Sequence, residues 1–247
     1  MSNKIAVVTG GASGIGLATC KIFAENNFNI VLSDIQDEAG QKAVVKLNKL
    51  GVSAIYHHSD VSKPDQVEAL INRAVAEYGK IDVLVNNAGI ATPYAKAEDH
   101  KLEDWDRTIA INLSGVFYGL KYGIAQMMKQ GGGNIVNVAS LAGVAASTMG
   151  MAYSASKYGV VGMTKSAALE YGRHKIRINC ICPSITDTPI LDGFGSEPEI
   201  KAKLLRAIPM RRYGEPEEMA KGILWLATEN SSFVTGHSLI VDGGMQL

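Results

Sequence analysis

Short apolar runs alternate with amphipathic stretches from one end of this 247-residue chain to the other, and this alternation constrains the fold most strongly. The runs are apolar on both faces, as parallel strands are when helices cover them from either side. Strand–helix–strand alternation without a long break predicts an α/β fold, with a doubly wound parallel sheet, helices on both of its faces and a single domain over residues 1–247. About seven strands are expected, at Ile5–Val8, Asn29–Ser33, Ser53–His57, Ile81–Val85, Asn134–Val138, Arg177–Ile181 and Ser238–Val241.

One helix between the third and fourth strands carries clear start and stop signals. Apolar residues recur at helical spacing from Val67 to Tyr78. Ser62 is a candidate cap, Pro64 suits the first turn, and Gly79 suits the end.

The composition argues against two classes of partner. Lys plus Arg and Asp plus Glu number 24 each, and the sequence pI is near 7.0. This balance provides no field that would attract nucleic acid or an anionic membrane. No apolar run reaches the roughly 18 residues of a membrane helix, and Met1–Lys4 leads straight into a strand-like run without the apolar stretch of a signal peptide. We expect a cytoplasmic protein with no nucleic-acid or membrane partner.

The cysteines and histidines predict neither a disulfide framework nor a metal site. Cys20, Cys180 and Cys182 are too few for a framework. Cys180 and Cys182 share one face of a strand, but no further ligand follows at metal-binding spacing. We expect buried structural thiols and no metal.

The first strand runs into a glycine-rich turn that suits a phosphate. Residues Thr9–Gly16 read TGGASGIG and lead into a helix. Glycines permit the tight turn and the close approach of backbone N–H groups to a pyrophosphate, and the helix N-terminus favours its negative charge. The place of this turn between the first strand and the first helix predicts a Rossmann-type dinucleotide site. The residues expected to bind the cofactor there are Gly10, Ser13, Gly14, Ile15 and Gly16.

Asp34 predicts which dinucleotide binds. It follows the second strand, at the distance expected of a carboxylate that hydrogen-bonds the adenosine ribose. Such a carboxylate repels the 2′-phosphate of NADP, and neither 10–16 nor 33–38 contains an Arg or Lys to neutralise that phosphate. We therefore expect NAD(H) as the cofactor.

A phenol and an ammonium group lie four residues apart in the segment Tyr153–Lys157. On a helix, these two side chains share a face. A free phenol titrates near pH 10, and a nearby cation stabilises the phenolate. Such pairs also occur by chance, with the aromatic ring packed on the lysine stem. The pair carries a catalytic prediction only together with its surroundings.

Those surroundings resemble the short-chain dehydrogenase/reductase family, in its classical branch. Thr9–Gly16, Asn86–Gly89, Asn112, Ser140 and Tyr153-x3-Lys157 occur together, in the family's order and at its intervals. The resemblance covers essentially the whole chain, through Val241-Asp-Gly-Gly244. It implies an oxidoreductase that acts on CH–OH groups.

The resemblance implies four catalytic residues. Tyr153 would be the general acid/base, and Ser140 would hydrogen-bond the substrate oxygen. Lys157 would bind the nicotinamide ribose and lower the pKa of Tyr153. Asn112 would hold a water molecule in a proton relay.

The resemblance also implies further cofactor contacts. Asp60 and Val61 would contact the adenine, while Asn87 and Gly89 would lie along the cofactor. The loop from Pro183 would cover the nicotinamide. In this loop the family usually has Gly where Ser184 stands and an aliphatic residue where Thr186 stands. Beyond the glycine turn and Asp34, the expected contacts are Asp60, Val61, Asn87, Gly89, Tyr153, Lys157, Pro183, Thr186 and Thr188.

Three variable segments supply the substrate contacts in this family. Here they are Ile90–Glu98, Leu141–Met151 and Ile190–Arg212, and the third is expected to form a mobile helical lid over about 190–212. Their apolar residues predict a neutral, fairly hydrophobic ketone or secondary alcohol as the substrate. In the second and third segments these residues are Leu141, Val144, Met149, Met151, Ile190, Leu191, Phe194, Leu204, Leu205 and Ile208.

Two rival functions differ from this prediction. The chain also resembles 3-oxoacyl-carrier-protein reductases, which usually take NADPH and dock an acidic carrier on a basic surface. Asp34 and the glycine run Gly131–Gly133 after Lys129 disfavour that function. A non-catalytic dinucleotide sensor is the other rival, and the intact Asn112, Ser140, Tyr153 and Lys157 set argues against it.

Family resemblance further implies a homotetramer. The helices Asn112–Lys129 and Tyr153–Arg173 would pack across one two-fold axis, where Ala155, Gly159, Gly162 and Ala167 would allow close approach. The Val241–Leu247 segment would meet a neighbour across another axis.

Overall fold

The computed structural model describes residues 3–148, 150–194 and 198–247, and its strands form one seven-stranded sheet. All neighbouring strands run parallel, in the order β3-β2-β1-β4-β5-β6-β7. The predicted strands are all present, with ends that differ by no more than two residues. They are β1 (Lys4–Thr9), β2 (Phe28–Asp34), β3 (Ala54–His58), β4 (Val83–Asn86), β5 (Gly133–Val138), β6 (Ile176–Pro183) and β7 (Ser238–Val241).

Helices cover both faces of this sheet, which confirms the doubly wound α/β fold. Phe23, Leu47 and Ile223 belong to the apolar core on one face, while Leu70 and Val160 belong to the core on the other. Within the described ranges, no helix combines the length and apolar character needed to cross a bilayer. The helices are α1 (Gly14–Glu25), α2 (Asp37–Asn48), α3 (Pro64–Tyr78), α4 (Leu102–Ile109), α5 (Gly115–Gln130), α6 (Met151–Tyr171), α7 (Pro198–Ala207) and α8 (Pro216–Ala227).

The start of α3 corrects one local prediction. Pro64 occupies the first turn and Gly79 ends the helix with a left-handed φ of 81°, as expected. Lys63, however, takes the cap position, and Ser62 does not cap the helix. Ser62 instead donates its backbone N–H to Oδ1 of Asp60 at 2.9 Å, so it belongs to a turn that precedes the helix.

The strand order reverses next to β1, which pairs with β2 on one side and β4 on the other. In open α/β sheets, ligands bind in the crevice at the carboxyl ends of the strands, where the order reverses. Here that crevice opens at the turns that follow Thr9 and Asn86. The glycine turn, Asn87 and Ser140 all follow strands that end at this edge of the sheet.

A chain of buried amides fixes the two central strands beneath this edge. Asn86 Nδ2 donates to Asn137 Oδ1 at 2.9 Å, and Asn137 Nδ2 donates to Thr164 Oγ1 of α6 at 2.9 Å. All three side chains are buried. Buried polar groups are costly when they are unpaired. These hydrogen bonds between side chains therefore link β4, β5 and α6 in one arrangement.

Replacing Asn137 with Ala should therefore destabilise the chain. The Asn137→Ala change leaves the amide of Asn86 without its acceptor in the core and opens a small cavity. We expect a loss of about 2–4 kcal/mol in the free energy of unfolding, measured by urea denaturation.

Asn134→Ala on the same strand is the matched control, because the Asn134 side chain hydrogen-bonds no residue in the part of the chain that the structure describes. It should cost less than about 1 kcal/mol. Equal losses in the two variants would contradict the role of the buried amide chain.

Candidate active site

The residues that the sequence predicts for cofactor binding and catalysis lie around one edge of the sheet. Most of them are at or just after the ends of β1, β2, β3, β4, β5 and β6. Tyr153 and Lys157 in the first turns of α6, and Asn112 between α4 and α5, join them. Sequence positions more than a hundred residues apart, such as Gly14 and Thr188, come into contact there.

The glycine turn after β1 forms a tight cradle. Gly10 and Gly14 have positive φ values of 63° and 49°. A Cβ atom on Gly16 would lie 2.0 Å from the carbonyl oxygen of Gly10, and one on Gly10 would lie 2.8 Å from Cα of Ala88. Side chains at these positions would therefore fill the cradle or displace its walls.

The N-terminus of α1 opens at this cradle. Ser13 stands at the cap position and makes no side-chain capping bond, as far as the described residues show. The first N–H groups of a helix have no partner within the helix, and they favour an anion together with the helix dipole. The cradle and this helix end together fit the pyrophosphate of a dinucleotide. The predicted set of Gly10, Ser13, Gly14, Ile15 and Gly16 lies around this opening.

Thr9 is a residue whose role the sequence analysis missed. Its Oγ1 accepts the backbone N–H groups of Asn87 at 3.0 Å and Ala88 at 3.1 Å. In return, Asn87 Nδ2 donates to the carbonyl oxygens of Thr9 at 2.9 Å and Gly10 at 3.0 Å. These bonds hold the turns after β1 and β4 together. The available signal was a hydroxyl at the end of an otherwise apolar strand.

Asp34 lies beside the glycine turn, at the end of β2. Its buried carboxylate accepts the backbone N–H of Ala12 on Oδ2 at 3.0 Å and that of Gln36 on Oδ1 at 3.1 Å. The side chain thus joins the glycine turn to the turn that leads into α2. The bonds of Asp34 to Ala12 and Gln36 are an addition from the structure, and the expected ribose contact stays a prediction.

Asp60 and Val61 follow β3 at the same edge. The Asp60 carboxylate accepts the N–H of Ser62, and its own N–H donates to Gln66 Oε1 at 2.7 Å. Val61 is buried and lies against Gly115, where a Cβ atom would come within 2.9 Å of Val61 Cγ2. The adenine contact expected of this pair stays a prediction.

Ser140 and Tyr153 interact through their hydroxyl groups. The hydroxyl of Ser140 accepts the N–H of Ala142 at 3.1 Å. Its interaction with the phenol lowers the pKa of Tyr153, but burial raises it more strongly, so that the pKa lies above its ordinary value. Tyr94, which the sequence analysis did not single out, also raises the pKa of Tyr153 electrostatically.

Lys157 is buried beneath this pair. Its Nζ donates to the carbonyl oxygen of Val138 at 2.9 Å and lies 5.6 Å from the centroid of the Tyr153 ring. Burial lowers the pKa of Lys157 to about 8. The family resemblance implies that Lys157 lowers the pKa of Tyr153. In this structure the pKa of Tyr153 is raised, chiefly because burial disfavours the charged phenolate.

Asn112 lies in a π-helical turn, Ala110–Ser114, between α4 and α5. Its fully buried amide donates to the carbonyl of Ile90 at 2.9 Å and accepts the Ile90 N–H at 2.8 Å. A Cβ atom on Gly89 would lie 3.2 Å from Asn112 Oδ1 and 3.6 Å from Lys157 Nζ. The structure therefore brings Asn112 and Lys157 close to each other beside Gly89. The water relay expected of Asn112 stays a prediction.

The loop after β6 closes the site on the opposite side. A Cβ atom on Gly14 would lie 3.2 Å from Thr188 Cγ2, so this loop borders the glycine cradle. Thr186 is buried, forms a parallel bridge with Gly214 and turns its hydroxyl back to Ser184 O at 3.3 Å. Ser184 donates its N–H to Val241 O at 3.2 Å. Both departures from the family pattern are thus accommodated by regular backbone pairing, which begins at Pro183.

An open cavity of about 500 Å³ lies next to the N-terminus of α6. Two of the three predicted substrate segments contribute to its wall, which is mostly apolar and includes one ammonium group. Met149, the side chain of Phe194 and residues 195–197 lie outside the described residues. The wall comprises Ala95, Lys96, Ala97, Ala146, Ser147, Met151, Ser154, Ala155 and Tyr158.

The thiols are structural in their placement. Cys20, Cys180 and Cys182 are free and fully buried, as expected. Cys180 Sγ lies 3.3 Å from Ser238 Oγ of the adjacent strand. In the part of the chain that the structure describes, no group of three or more His, Cys, Asp or Glu side chains is placed to hold a metal ion.

Comparison with known proteins gives matches along nearly the whole chain. A family model described as enoyl-(acyl carrier protein) reductase matches residues 10–246. Cyclohexanol dehydrogenase of Acinetobacter sp. (strain SE19) is 38% identical over 98% of this chain and 94% of its own. Cis-4-hydroxycyclohexanecarboxylate dehydrogenase of Sinomonas cyclohexanicum is 40% identical, with 98% and 96% covered. A 3-oxoacyl-[acyl-carrier-protein] reductase of Chlamydia muridarum is 40% identical, with 98% and 97% covered.

Solved structures give the same result for the fold. A NAD⁺-bound xylitol dehydrogenase superposes with a TM-score of 0.93 at 34% identity and covers 98% of each chain. A 3-ketoacyl-(acyl-carrier-protein) reductase from Brucella melitensis, complexed with NADH, superposes with a TM-score of 0.92 at 31% identity. That alignment covers 99% of this chain and 98% of the other.

The glycine cradle leads to a direct test of cofactor binding. Gly16→Ala places a methyl group where the carbonyl of Gly10 lies, so the turn must shift. We expect the dissociation constant for NADH, measured by fluorescence titration, to rise at least about tenfold. This rise corresponds to a loss of about 1.4 kcal/mol of binding free energy.

Gly172→Ala is the control for this substitution, because a Cβ atom at Gly172 would meet nothing within 4 Å. Its NADH affinity should equal that of the unmodified chain. An unchanged affinity in Gly16→Ala would show that the cofactor does not bind in the cradle.

Proposed function

The chain belongs to the short-chain dehydrogenase/reductase family, and we propose that it uses NAD(H) to interconvert a neutral, hydrophobic secondary alcohol and its ketone. Members of this family bind nicotinamide cofactors, and the chain is an oxidoreductase that acts on CH–OH groups. The choice of NAD(H), the substrate class and the roles of individual residues are the proposed part.

One observation carries the proposal, namely that Ser140, Tyr153 and the buried Lys157 come together at the edge of the sheet that also holds a glycine cradle fit for a dinucleotide. A bound nicotinamide ring supplies the hydride acceptor or donor. Ser140 offers its hydroxyl to the substrate oxygen and fixes its position. Tyr153 takes the proton of the alcohol during oxidation and returns it during reduction. Lys157 places a cation below the phenol and favours the deprotonated state.

The environment of Asp34 favours NAD(H). Its carboxylate is buried at the end of β2, next to the glycine turn. A 2′-phosphate placed there would meet this negative charge. No Arg or Lys occurs in 10–16 or 33–38. The solved relatives with NAD⁺ and NADH agree with this preference, although their cofactors belong to those proteins alone.

The predicted substrate segments favour a hydrophobic substrate. The segment 141–151, which directly follows Ser140, contains no charged residue and carries Leu141, Val144 and Met151. Two relatives are named for alcohols on a cyclohexane ring, and we propose that a cyclic secondary alcohol such as cyclohexanol is turned over here. The segment 190–212 would close over it as a lid.

A second candidate is reduction of a 3-oxoacyl group on an acyl carrier. It is favoured by the relative of that name, which is as similar as the cyclohexane-directed enzymes. Most members of that group of reductases require NADPH. An assay of each substrate with each cofactor therefore distinguishes the two functions. Cyclohexanol turnover with NAD supports the first function, and reduction of a 3-oxoacyl thioester with NADPH alone supports the second.

We also propose that the chain assembles as a homotetramer, which no contact of the single chain tests. Large apolar side chains are exposed on the faces expected to pair, with Phe117 of α5 at 49% and Tyr158 of α6 at 47%. Leu247, in the segment expected at another axis, is fully exposed. Light scattering at micromolar concentration should give about four times the chain mass of 26.3 kDa. A mass near that of one chain would refute the assembly.

The Tyr153→Phe variant tests the catalytic assignment. The ring and its packing remain, while the proton donor is removed. We expect the fold and NADH affinity to persist and the turnover number to fall by about 10²- to 10⁴-fold. Tyr171→Phe near the end of the same helix is the control and should retain turnover. Normal turnover in Tyr153→Phe would mean that another residue moves the proton.

The pH dependence follows from the Tyr153–Lys157 pair treated as one unit. The pair must lose one proton before it can accept the proton of the alcohol. Because burial lowers the pKa of Lys157 to about 8, this loss begins in that region. Alcohol oxidation should therefore rise with pH through this ionisation, and ketone reduction should fall. An oxidation rate independent of pH over this range would contradict the assignment.

Substitution of Asp34 tests the cofactor preference. Asp34→Ala removes the charge that opposes the 2′-phosphate, so the ratio of kcat/KM for NADP to that for NAD should rise by about tenfold or more. Asp65→Asn, which removes an exposed carboxylate in the first turn of α3, is the control and should leave the ratio unchanged. Equal efficiency with both cofactors in the unmodified enzyme would overturn the preference.

A further inference from the structure

A second carboxylate is fixed beside Asp34. The ends of β2 and β3 lie in register, with Asp34 opposite His58, and α2 begins at Asp37. Asp37, three residues further along the chain, therefore lies at the same edge of the sheet as Asp34. The sequence analysis assigned no role to Asp37, Tyr56 or His58.

Two side chains of β3 hold the Asp37 carboxylate in place. Oδ1 of Asp37 lies 2.7 Å from the hydroxyl of Tyr56 and 2.7 Å from Nδ1 of His58. Both contacts lower the pKa of Asp37, that of Tyr56 more strongly, so the carboxylate is ionised at neutral pH. The Tyr56–Asp37–His58 cluster thus presents a charged group in one position rather than on a freely rotating surface side chain.

The same cluster is joined to Asp34 through the backbone. The Tyr56 hydroxyl lies 2.7 Å from the carbonyl oxygen of Asp34 as well, so its single proton is shared between that oxygen and Asp37. The Tyr56 ring passes beneath α2 at Gly40, where a Cβ atom would come within 2.3 Å of the ring. A larger residue at that position would push the ring away, so the position of the cluster is built into α2.

The charge of Asp34 is partly compensated. Both of its carboxylate oxygens accept backbone N–H groups, from Ala12 and Gln36. Such donors offset part of a carboxylate's charge. The Oδ2 of Asp37 accepts no hydrogen bond from any residue in the described ranges. Asp37 therefore contributes a second negative charge at this edge, with one carboxylate oxygen open on the side away from Tyr56 and His58.

We propose that Asp37 is a second residue that selects NAD over NADP, with Tyr56 and His58 as the residues that position it. The 2′-phosphate of NADP adds about two negative charges to the adenosine ribose. A fixed carboxylate next to Asp34 repels those charges across partly solvated space and leaves NAD unaffected. This inference rests on the proposed use of NAD(H).

The test is a fluorescence titration of NADPH and NADH on the full chain, which needs no turnover. Asp37→Asn should tighten NADPH binding by about three- to tenfold and change NADH binding by less than about twofold. The gain should shrink as NaCl is raised from about 10 mM to about 500 mM, because salt screens a charge effect but not a change of shape. Tyr56→Phe should shift the ratio of the two affinities in the same direction and by less, because the carboxylate remains but loses one anchor.

Glu38→Gln is the matched control. It removes the neighbouring carboxylate, whose side chain is 84% exposed and pairs with Lys42. The ratio of NADPH to NADH affinity should change by less than about twofold in this variant. An equal effect of Glu38→Gln and Asp37→Asn would show that only general surface charge matters, and the inference would be overturned.

Asp34→Ala in the same titration separates the two proposals. If Asp34→Ala relaxes the NADH preference and Asp37→Asn does not, the inference on Asp37 is wrong and the proposed cofactor stands. If the unmodified chain binds NADPH as tightly as NADH, the proposed cofactor preference is wrong and this inference falls with it.

Discussion

The close approach of two backbone turns at the carboxyl end of β1 is the constraint on which the site depends. The Thr9 hydroxyl accepts the backbone N–H of Asn87, the Asn87 side chain donates to the backbone carbonyl of Thr9, and Gly16 leaves room for the carbonyl of Gly10. Any methyl group between these turns would separate them. Because the same contact sets the entrance of α1 and the turn after β4, it fixes the cradle and one wall of the crevice together.

The catalytic residues depend on a second constraint, which is burial. Ser140, Tyr153 and Lys157 come from one strand end and one helix, and the Asn86–Asn137–Thr164 chain beneath them holds those elements together. Burial raises the pKa of Tyr153 and lowers the pKa of Lys157 to about 8. Both shifts favour the neutral form of the side chain, because a buried charge loses its solvation. The pair therefore holds one exchangeable proton in surroundings that have lost much of their solvent. This arrangement suits proton exchange with a substrate oxygen at near-neutral pH.

Local patterns in the sequence predicted much of this structure. The strands were found because each is a short apolar run, and the glycine turn was found because it follows the first of them. Conformations set by one neighbouring residue were harder to predict, as the turn of Asp60 with Ser62 shows. The family resemblance located Asn112, Ser140, Tyr153 and Lys157, and the structure brings them to one edge, while their roles stay predictions.

Contacts between distant segments were beyond the sequence analysis. The pairing of Asp37 with Tyr56 and His58 joins a helix start to a strand nearly twenty residues away, and no periodicity marks it. The raised pKa of Tyr153 was missed because it follows from tertiary burial rather than from the spacing of Tyr153 and Lys157. The expected cytoplasmic location and tetrameric assembly involve surroundings that a single chain does not contain, and they stay predictions.

Transfer of a labelled hydride tests the central claim most directly. The chain is incubated with cyclohexanone and NADH that carries deuterium at both transferable positions of the nicotinamide ring, and the product is analysed by mass spectrometry. We predict cyclohexanol with one deuterium on the carbinol carbon. Unreacted cyclohexanone, under conditions in which a 3-oxoacyl thioester is reduced only with NADPH, would contradict both the proposed substrate class and the proposed cofactor.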